Sequence, residues 1–229
     1  MKYRRAFTPG GTYFFTLVSY KRRPIFSSPE AVELLRSAFR RAMEFMPFTI
    51  VASVILPEHM HFIWTLPQES SDFSTRWRLI KSDFTRHWYP EGAVSERASR
   101  VRKGEKDVWQ RRFWEHMIRD EEDLTRHVEY VHYNPVKHGL VKSAAEWEYS
   151  SFMMYVRDGL YAEDWGVDGK VWTGDEGDEV RRRNGRLWMA GGMLGGGRKG
   201  GRVLAKEWRF GLVGSQGKTR VDRPPPNLV

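Results

Sequence analysis

The chain has no cysteine in 229 residues. That removes disulfides, thiolate zinc sites and cysteine nucleophiles together, and it fits a reducing cytoplasm. No run approaches the ~18 apolar residues of a membrane span. The start, Met1-Lys2-Tyr3-Arg4-Arg5, is basic. The Phe7-Thr8-Pro9-Gly10-Gly11 that follows is no apolar core for a signal peptide. There is no internal repeat and no coiled-coil seam. With 40% hydrophobic and 14% aromatic residues the chain has enough apolar side chains for one large core.

Acid is in shorter supply than base. Twenty-nine Asp and Glu face 38 Lys and Arg, a net charge of +9. A basic balance favours a polyanionic partner, most often nucleic acid. The excess is uneven. From Gly166 onward there are 13 basic and 7 acidic residues, so that stretch carries +6 of the +9. It also holds 15 of the 21 glycines, with Arg181-Arg182-Arg183 and a terminal Pro224-Pro225-Pro226. Residues 1–165 read as a compact body and 166–229 as a flexible cationic tail.

Within the body, Thr12–Ser19 reads as a strand buried on both faces. Ser28-Pro29-Glu30 is a helix start, followed by Val32, Leu35, Phe39, Ala42 and Met43 at helical spacing. Phe48–Leu56 is a second strand, and Pro57-Glu58 turns it into a third. In that third strand His59, His61, Ile63 and Thr65 share one face, and Met60, Phe62, Trp64 and Leu66 the other. Two imidazoles about 6–7 Å apart along a stiff strand suit a metal ion; capping of a strand is the plain alternative. Asp72 then caps a helix whose stripe is Phe73, Trp77, Ile80, Phe84 and Trp88. Arg76, Arg78 and Lys81 occupy its remaining surface, either as phosphate contacts or as a solvated face. Val108–Met117 reads as a fourth strand, with Gln110, Arg112, Trp114 and His116 on one face.

Strand, helix, strand, strand, helix, strand is the ferredoxin-like order, an α+β fold with a four-stranded antiparallel sheet and both helices on one face. The histidines then point to the free face, which another element must cover. The acidic start Asp120-Glu121-Glu122-Asp123 opens a helix with the stripe Leu124, Val128, Val131. His127, Tyr130 and Asn134 lie together on one flank of it. Pro135 and Gly139 end it.

Three separated stretches carry a resemblance: Leu56-Pro57-Glu58-His59-Met60-His61, Trp109-Gln110-Arg111-Arg112-Phe113-Trp114-Glu115-His116, and Tyr130-Val131-His132-Tyr133-Asn134-Pro135-Val136-Lys137-His138-Gly139. Together and in this order they resemble the REP-associated tyrosine transposases of the HUH single-tyrosine superfamily. The resemblance covers about residues 1–165 and not the tail. It implies a ferredoxin-like fold with the histidine pair on a central strand and the tyrosine on a helix across the open sheet face.

It also implies the site. His59 and His61 would hold a divalent metal, Mg²⁺ or Mn²⁺, with Asn134 as third ligand. Tyr130 would be the nucleophile, and His127 would assist proton transfer. Tyr133, the rival phenol, points away from the sheet. The substrates implied are single-stranded DNA hairpins of palindromic repeats, cut and rejoined through a 5′-phosphotyrosine link, which keeps the bond energy without a nucleotide cofactor. A domesticated bacterial transposase would act in the cytoplasm at the nucleoid, as monomer or homodimer, with no membrane. Arg4, Arg5, Arg76, Arg78, Lys81, Arg111 and Arg112 are the candidate DNA contacts, with Trp77 or Trp114 as stacking platforms. The alternative function is a hairpin-binding protein that no longer cuts.

Overall fold

The computed structural model describes residues 7–88 and 98–167. The candidate contacts Arg4 and Arg5, and the expected tail beyond residue 167, lie outside the described residues. In chain order the elements are β1 (Thr12–Val18), α1 (Pro29–Phe45), β2 (Thr49–Ile55), β3 (His59–Thr65), α2 (Phe73–Trp88), α3 (Ala98–Val101), β4 (Trp114–Met117), α4 (Glu121–Lys137) and α5 (Phe152–Arg157). The sheet order is β2-β3-β1-β4, with every pairing antiparallel. This is the expected α+β, ferredoxin-like arrangement.

Strand alternation divides the sheet into two cores. Tyr13, Phe15, Leu17, Met60, Phe62 and Trp64 pack under α1 and α2, against Leu35, Phe39, Phe73, Trp77, Ile80 and Phe84. Trp64 and Trp77 stack at 4.1 Å there, so Trp77 is a core residue and no platform for a base. On the opposite face Phe14, Val54 and Ile63 meet Val128, Tyr130 and Val131 of α4 and Tyr155 of α5. The free face is therefore covered by the tyrosine-bearing helix.

Two expected boundaries shift. The fourth strand is only Trp114–Met117. Val108 and Gln110 do bond to the end of β1, through Tyr20 N–H to Val108 O and Gln110 N–H to Val18 O. Between them and β4 the pairing breaks, where Arg111 turns its side chain to Glu105 and the Ser99 carbonyl. The second shift is in α4, which does not stop at Asn134 but runs through Pro135 to Lys137. Proline removes only one N–H donor, and the turn after it still closes through His138 N–H to Asn134 O and Leu140 N–H to Pro135 O. Gly139, at φ +67°, then ends the helix.

The segment after α4 laces along the edge of β2. Ile55 N–H donates to Tyr149 O, Ser151 N–H to Ser53 O, and the Tyr155 hydroxyl to Val51 O. His132 of α4 bonds Ser151 Oγ at 2.7 Å. This lacing covers an otherwise open strand edge and ties α4 to the sheet. Among the described residues no helix is long and apolar enough to cross a membrane.

Candidate metal and nucleophile centre

The pleat of β3 puts His59 and His61 on the α4 side, both buried. Their rings stand 5.0 Å apart, nearly perpendicular. Each has its Nδ1 engaged by a neighbour. His61 Nδ1 bonds Thr16 Oγ1 at 2.9 Å, across the β1–β3 register. His59 Nδ1 lies 3.1 Å from Glu58 Oε1, an ion-pair distance not aligned as a hydrogen bond. This contact pulls the Glu58 carboxyl down to about 2 against the opposing effect of burial, with a smaller contribution from Arg22. A carboxylate or hydroxyl behind one ring nitrogen is how proteins orient the other toward a ligand.

His61 Nε2 is buried with no hydrogen-bond partner among the described residues, and so are both carboxamide atoms of the fully buried Asn134. Leaving such atoms unpaired costs about 1–3 kcal/mol each, so they mark a place built for something else. Burial holds the His61 imidazole well below its ordinary range, and the positive surroundings of His59, His138, Lys137 and Arg22 add to this. Neutral imidazole is the form that binds a metal.

Tyr130 is buried beside this pair, its ring 5.2 Å from that of His61 and 5.8 Å from Phe14. The Lys137 ammonium sits 4.9 Å from the Tyr130 ring centroid. His138 packs on His59 at 5.0 Å. Tyr133 instead meets Trp165 nearly perpendicular, 6.5 Å between ring centroids. The fold thus brings His59, His61 and Tyr130 together, with Asn134 one helical turn after Tyr130 on α4.

His127 lies on the same flank, packed on Phe14 at 4.9 Å. It belongs to a cluster with His116 and Asp123 whose possible ligand atoms all lie within 4.8 Å of one another. Burial opposes ionisation of Asp123, but bonds from His116 and from the side chain and backbone of Arg119 outweigh it and hold the carboxyl well below the usual range.

The candidate DNA contacts divide. Arg78, Arg111 and Arg112 are exposed. Arg76 is buried and spent on the protein: Nε and Nη2 donate to Pro47 O, and Nη1 to Ser70 Oγ and Asp72 O. It braces the start of α2 and offers nothing to a phosphate. Lys81 also turns inward, donating to Gln110 O at 3.0 Å, and burial with the nearby Arg100 lowers its ammonium to about 8. Trp114 is half-buried, edge-on to Phe14 and stacked with His116. Sequence reasoning missed Thr16, Glu58, Lys137, His138 and Asp123 as parts of this region. Glu58 and the Lys137-His138 pair sit beside residues it did select; Thr16 shows only through cross-strand register.

No family model matches the chain. The REP-associated tyrosine transposase of Escherichia coli K12 is 44% identical over 167 residues, covering 73% of this chain and 92% of that protein. A Haemophilus influenzae protein carrying the same family name is 43% identical over 164 residues, covering 72% of this chain and 92% of the relative. A solved structure of a REP-associated tyrosine transposase bound to a REP hairpin superposes with a TM-score of 0.64 at 42% identity, over 77% of this chain and 96% of the other. The identity spans nearly the whole length of these relatives, so the chain belongs to the REP-associated tyrosine transposase family.

Proposed function

We propose that this protein cuts and rejoins single-stranded DNA beside hairpins of palindromic repeats, using Tyr130 as nucleophile and a divalent metal, Mg²⁺ or Mn²⁺, held by His59, His61 and Asn134. The observation that carries the proposal is the packing of Tyr130 against His61, whose Nε2 is unpartnered among the described residues, as is the carboxamide of Asn134 one helical turn along α4. The donor set fits such an ion. Two imidazole nitrogens and one amide oxygen are donors such an ion accepts, and they would leave positions for substrate and water. When bound, the metal neutralises charge on the non-bridging oxygens of the scissile phosphate and orients it.

The residues do the rest. Tyr130 Oη forms a bond to phosphorus as the P–O3′ bond breaks, leaving a 5′-phosphotyrosine and a free 3′-hydroxyl. Attack by a 3′-hydroxyl on that link reverses the step and rejoins the strands without a nucleotide cofactor. His127 takes and returns the phenolic proton. The Lys137 ammonium beside the phenol adds positive charge where the phosphate must approach. Arg78, Arg111 and Arg112, with Arg4 and Arg5, are the proposed phosphate contacts, and the basic residues after Gly166 add salt-sensitive affinity. Residues 1–165 form the catalytic domain and 166–229 its cationic tail. The protein acts in the bacterial cytoplasm, at the nucleoid, as a monomer or homodimer.

The test is a denaturing-gel assay with end-labelled hairpin oligonucleotides and Mn²⁺. A protein-linked 5′-phosphate product, lost on chelation and in Tyr130→Phe, supports the proposal. Tight hairpin binding with no covalent product from any substrate favours a non-cleaving hairpin-binding protein.

A further inference from the structure

Asp123 holds more contacts than a helix start requires. Asp120 already caps α4, accepting from Asp123 N–H at 2.8 Å. Yet the Asp123 side chain is 1% exposed. Its Oδ2 accepts from His116 Nε2 at 2.9 Å, Arg119 N–H at 3.0 Å and Arg119 Nε at 3.1 Å. Its Oδ1 lies 3.1 Å from His127 Nδ1, which also bonds the Asp123 carbonyl oxygen at 2.8 Å. The His127 ring stacks parallel on His116 at 4.7 Å and packs, tilted, on Phe14 at 4.9 Å. Phe14 in turn touches Tyr130 and His61.

These contacts fix a proton on one nitrogen of His127. Two oxygen acceptors at Nδ1 require a proton there, so in the neutral ring Nε2 is the basic nitrogen. A carboxylate behind the distal nitrogen of an imidazole is the arrangement that orients a general base and stabilises the imidazolium it becomes. The cluster is a poor cation site by the same contacts. A metal on Asp123 would have to displace the Arg119 guanidinium and break the bond from His127 to the carbonyl.

We infer that Asp123 is a positioning residue for strand transfer, fixing His127 so that its Nε2 serves the Tyr130 hydroxyl, with His116 and Arg119 fixing Asp123. The inference rests on Tyr130 as nucleophile. In cleavage the phenolic proton passes to His127 Nε2 as the Oη–P bond forms and the P–O3′ bond breaks. The departing 3′-oxygen takes a proton from water, and the imidazolium neutralises the resulting hydroxide. In rejoining the protons move back: water protonates His127 Nε2, the hydroxide so formed takes the proton of the attacking 3′-hydroxyl, and the imidazolium protonates the leaving tyrosine oxygen. His127 acts because it and Tyr130 share one flank of α4 and one Phe14 ring; Asp123 acts only through it.

The experiment is a double-mutant cycle on the full chain, read as the single-turnover rate of covalent product at saturating hairpin and Mn²⁺. General base catalysis supplies about 10²–10⁴-fold. His127→Gln is expected to lose most of that, and Asp123→Asn roughly tenfold or more, with hairpin affinity unchanged in both. The double variant is expected to be no slower than His127→Gln alone. A His127→Gly variant regains rate with added imidazole, and this second measurement stands if Asp123→Asn does not fold. Asp123→Asn at wild-type rate, losses that multiply in the double variant, or no imidazole rescue would each overturn the inference while leaving the Tyr130 reading intact. A wild type that yields no covalent product overturns both.

Discussion

The His61 imidazole and the Tyr130 phenol meet edge to face, 5.2 Å between ring centroids, one from the central strand β3 and the other from the helix across it. Tyr133, three residues on, faces Trp165 instead. A phenol must lie beside the group that organises the phosphate if it is to attack in line. Tyr130→Phe should therefore lose covalent product by several orders of magnitude, as removal of a nucleophile does, with hairpin affinity retained. Tyr133→Phe should keep it. Product formation by Tyr130→Phe but not by Tyr133→Phe would reverse the assignment.

Asn134 sets stability against function. Its carboxamide is fully buried without a partner among the described residues, a cost of about 1–3 kcal/mol in metal-free protein. Asn134→Leu, with the same number and branching of side-chain heavy atoms and no polar group, should raise the melting temperature in the presence of chelator. Mn²⁺ should then stabilise the wild type, by about 2.7 kcal/mol at a hundred times its Kd, and stabilise Asn134→Leu much less. Equal Mn²⁺ shifts in the two proteins would remove Asn134 from the ligand set.

How far the sequence reaches is visible at individual residues. Strand alternation alone separates Met60, Phe62 and Trp64 from His59 and His61, because period-2 burial leaves few other solutions. The flank His127, Tyr130, Asn134 follows equally from helical period. Arg76 and Lys81 were not legible. A long cationic side chain at the edge of an apolar stripe can snorkel outward or turn inward. The choice depends on whether a carbonyl such as Pro47 O or Gln110 O waits nearby in space. Thr16 behind His61 and the end of α4 depend likewise on register and on how a turn closes around Pro135. Neither is a property of local composition.

His132 gives the fold an acid-sensitive point away from the centre. Burial lowers its imidazole to about 3, and its Nε2 bonds Ser151 Oγ. In the unfolded chain the group titrates near 6.5. Below that pH the unfolded state takes up a proton that the folded state refuses. The contribution is therefore whole above about pH 6.5 and is lost progressively as pH falls toward 3. By pH 5 the loss is about 2 kcal/mol. His132→Phe should flatten the acid limb of melting temperature against pH between 7.5 and 4.5 by roughly this amount. Parallel limbs for the two proteins would count against it.

The arginines of α2 and of the segment before β4 should separate binding from stability. Arg112 is exposed beside the strand that borders Thr16 and Phe14 on the site face, so it is placed to meet a phosphate. Each phosphate contact on a single strand contributes about 0.7 to the slope of log affinity against log salt. Arg112→Ala should reduce that slope by about this amount and leave the melting temperature unchanged. Arg76→Ala should do the opposite. Its guanidinium satisfies the Pro47 and Asp72 carbonyls inside the protein, and removing it should cost about 2–3 kcal/mol of stability while the salt slope stays as it was. A lower slope in Arg76→Ala would mean that the side chain leaves its buried bonds to reach DNA.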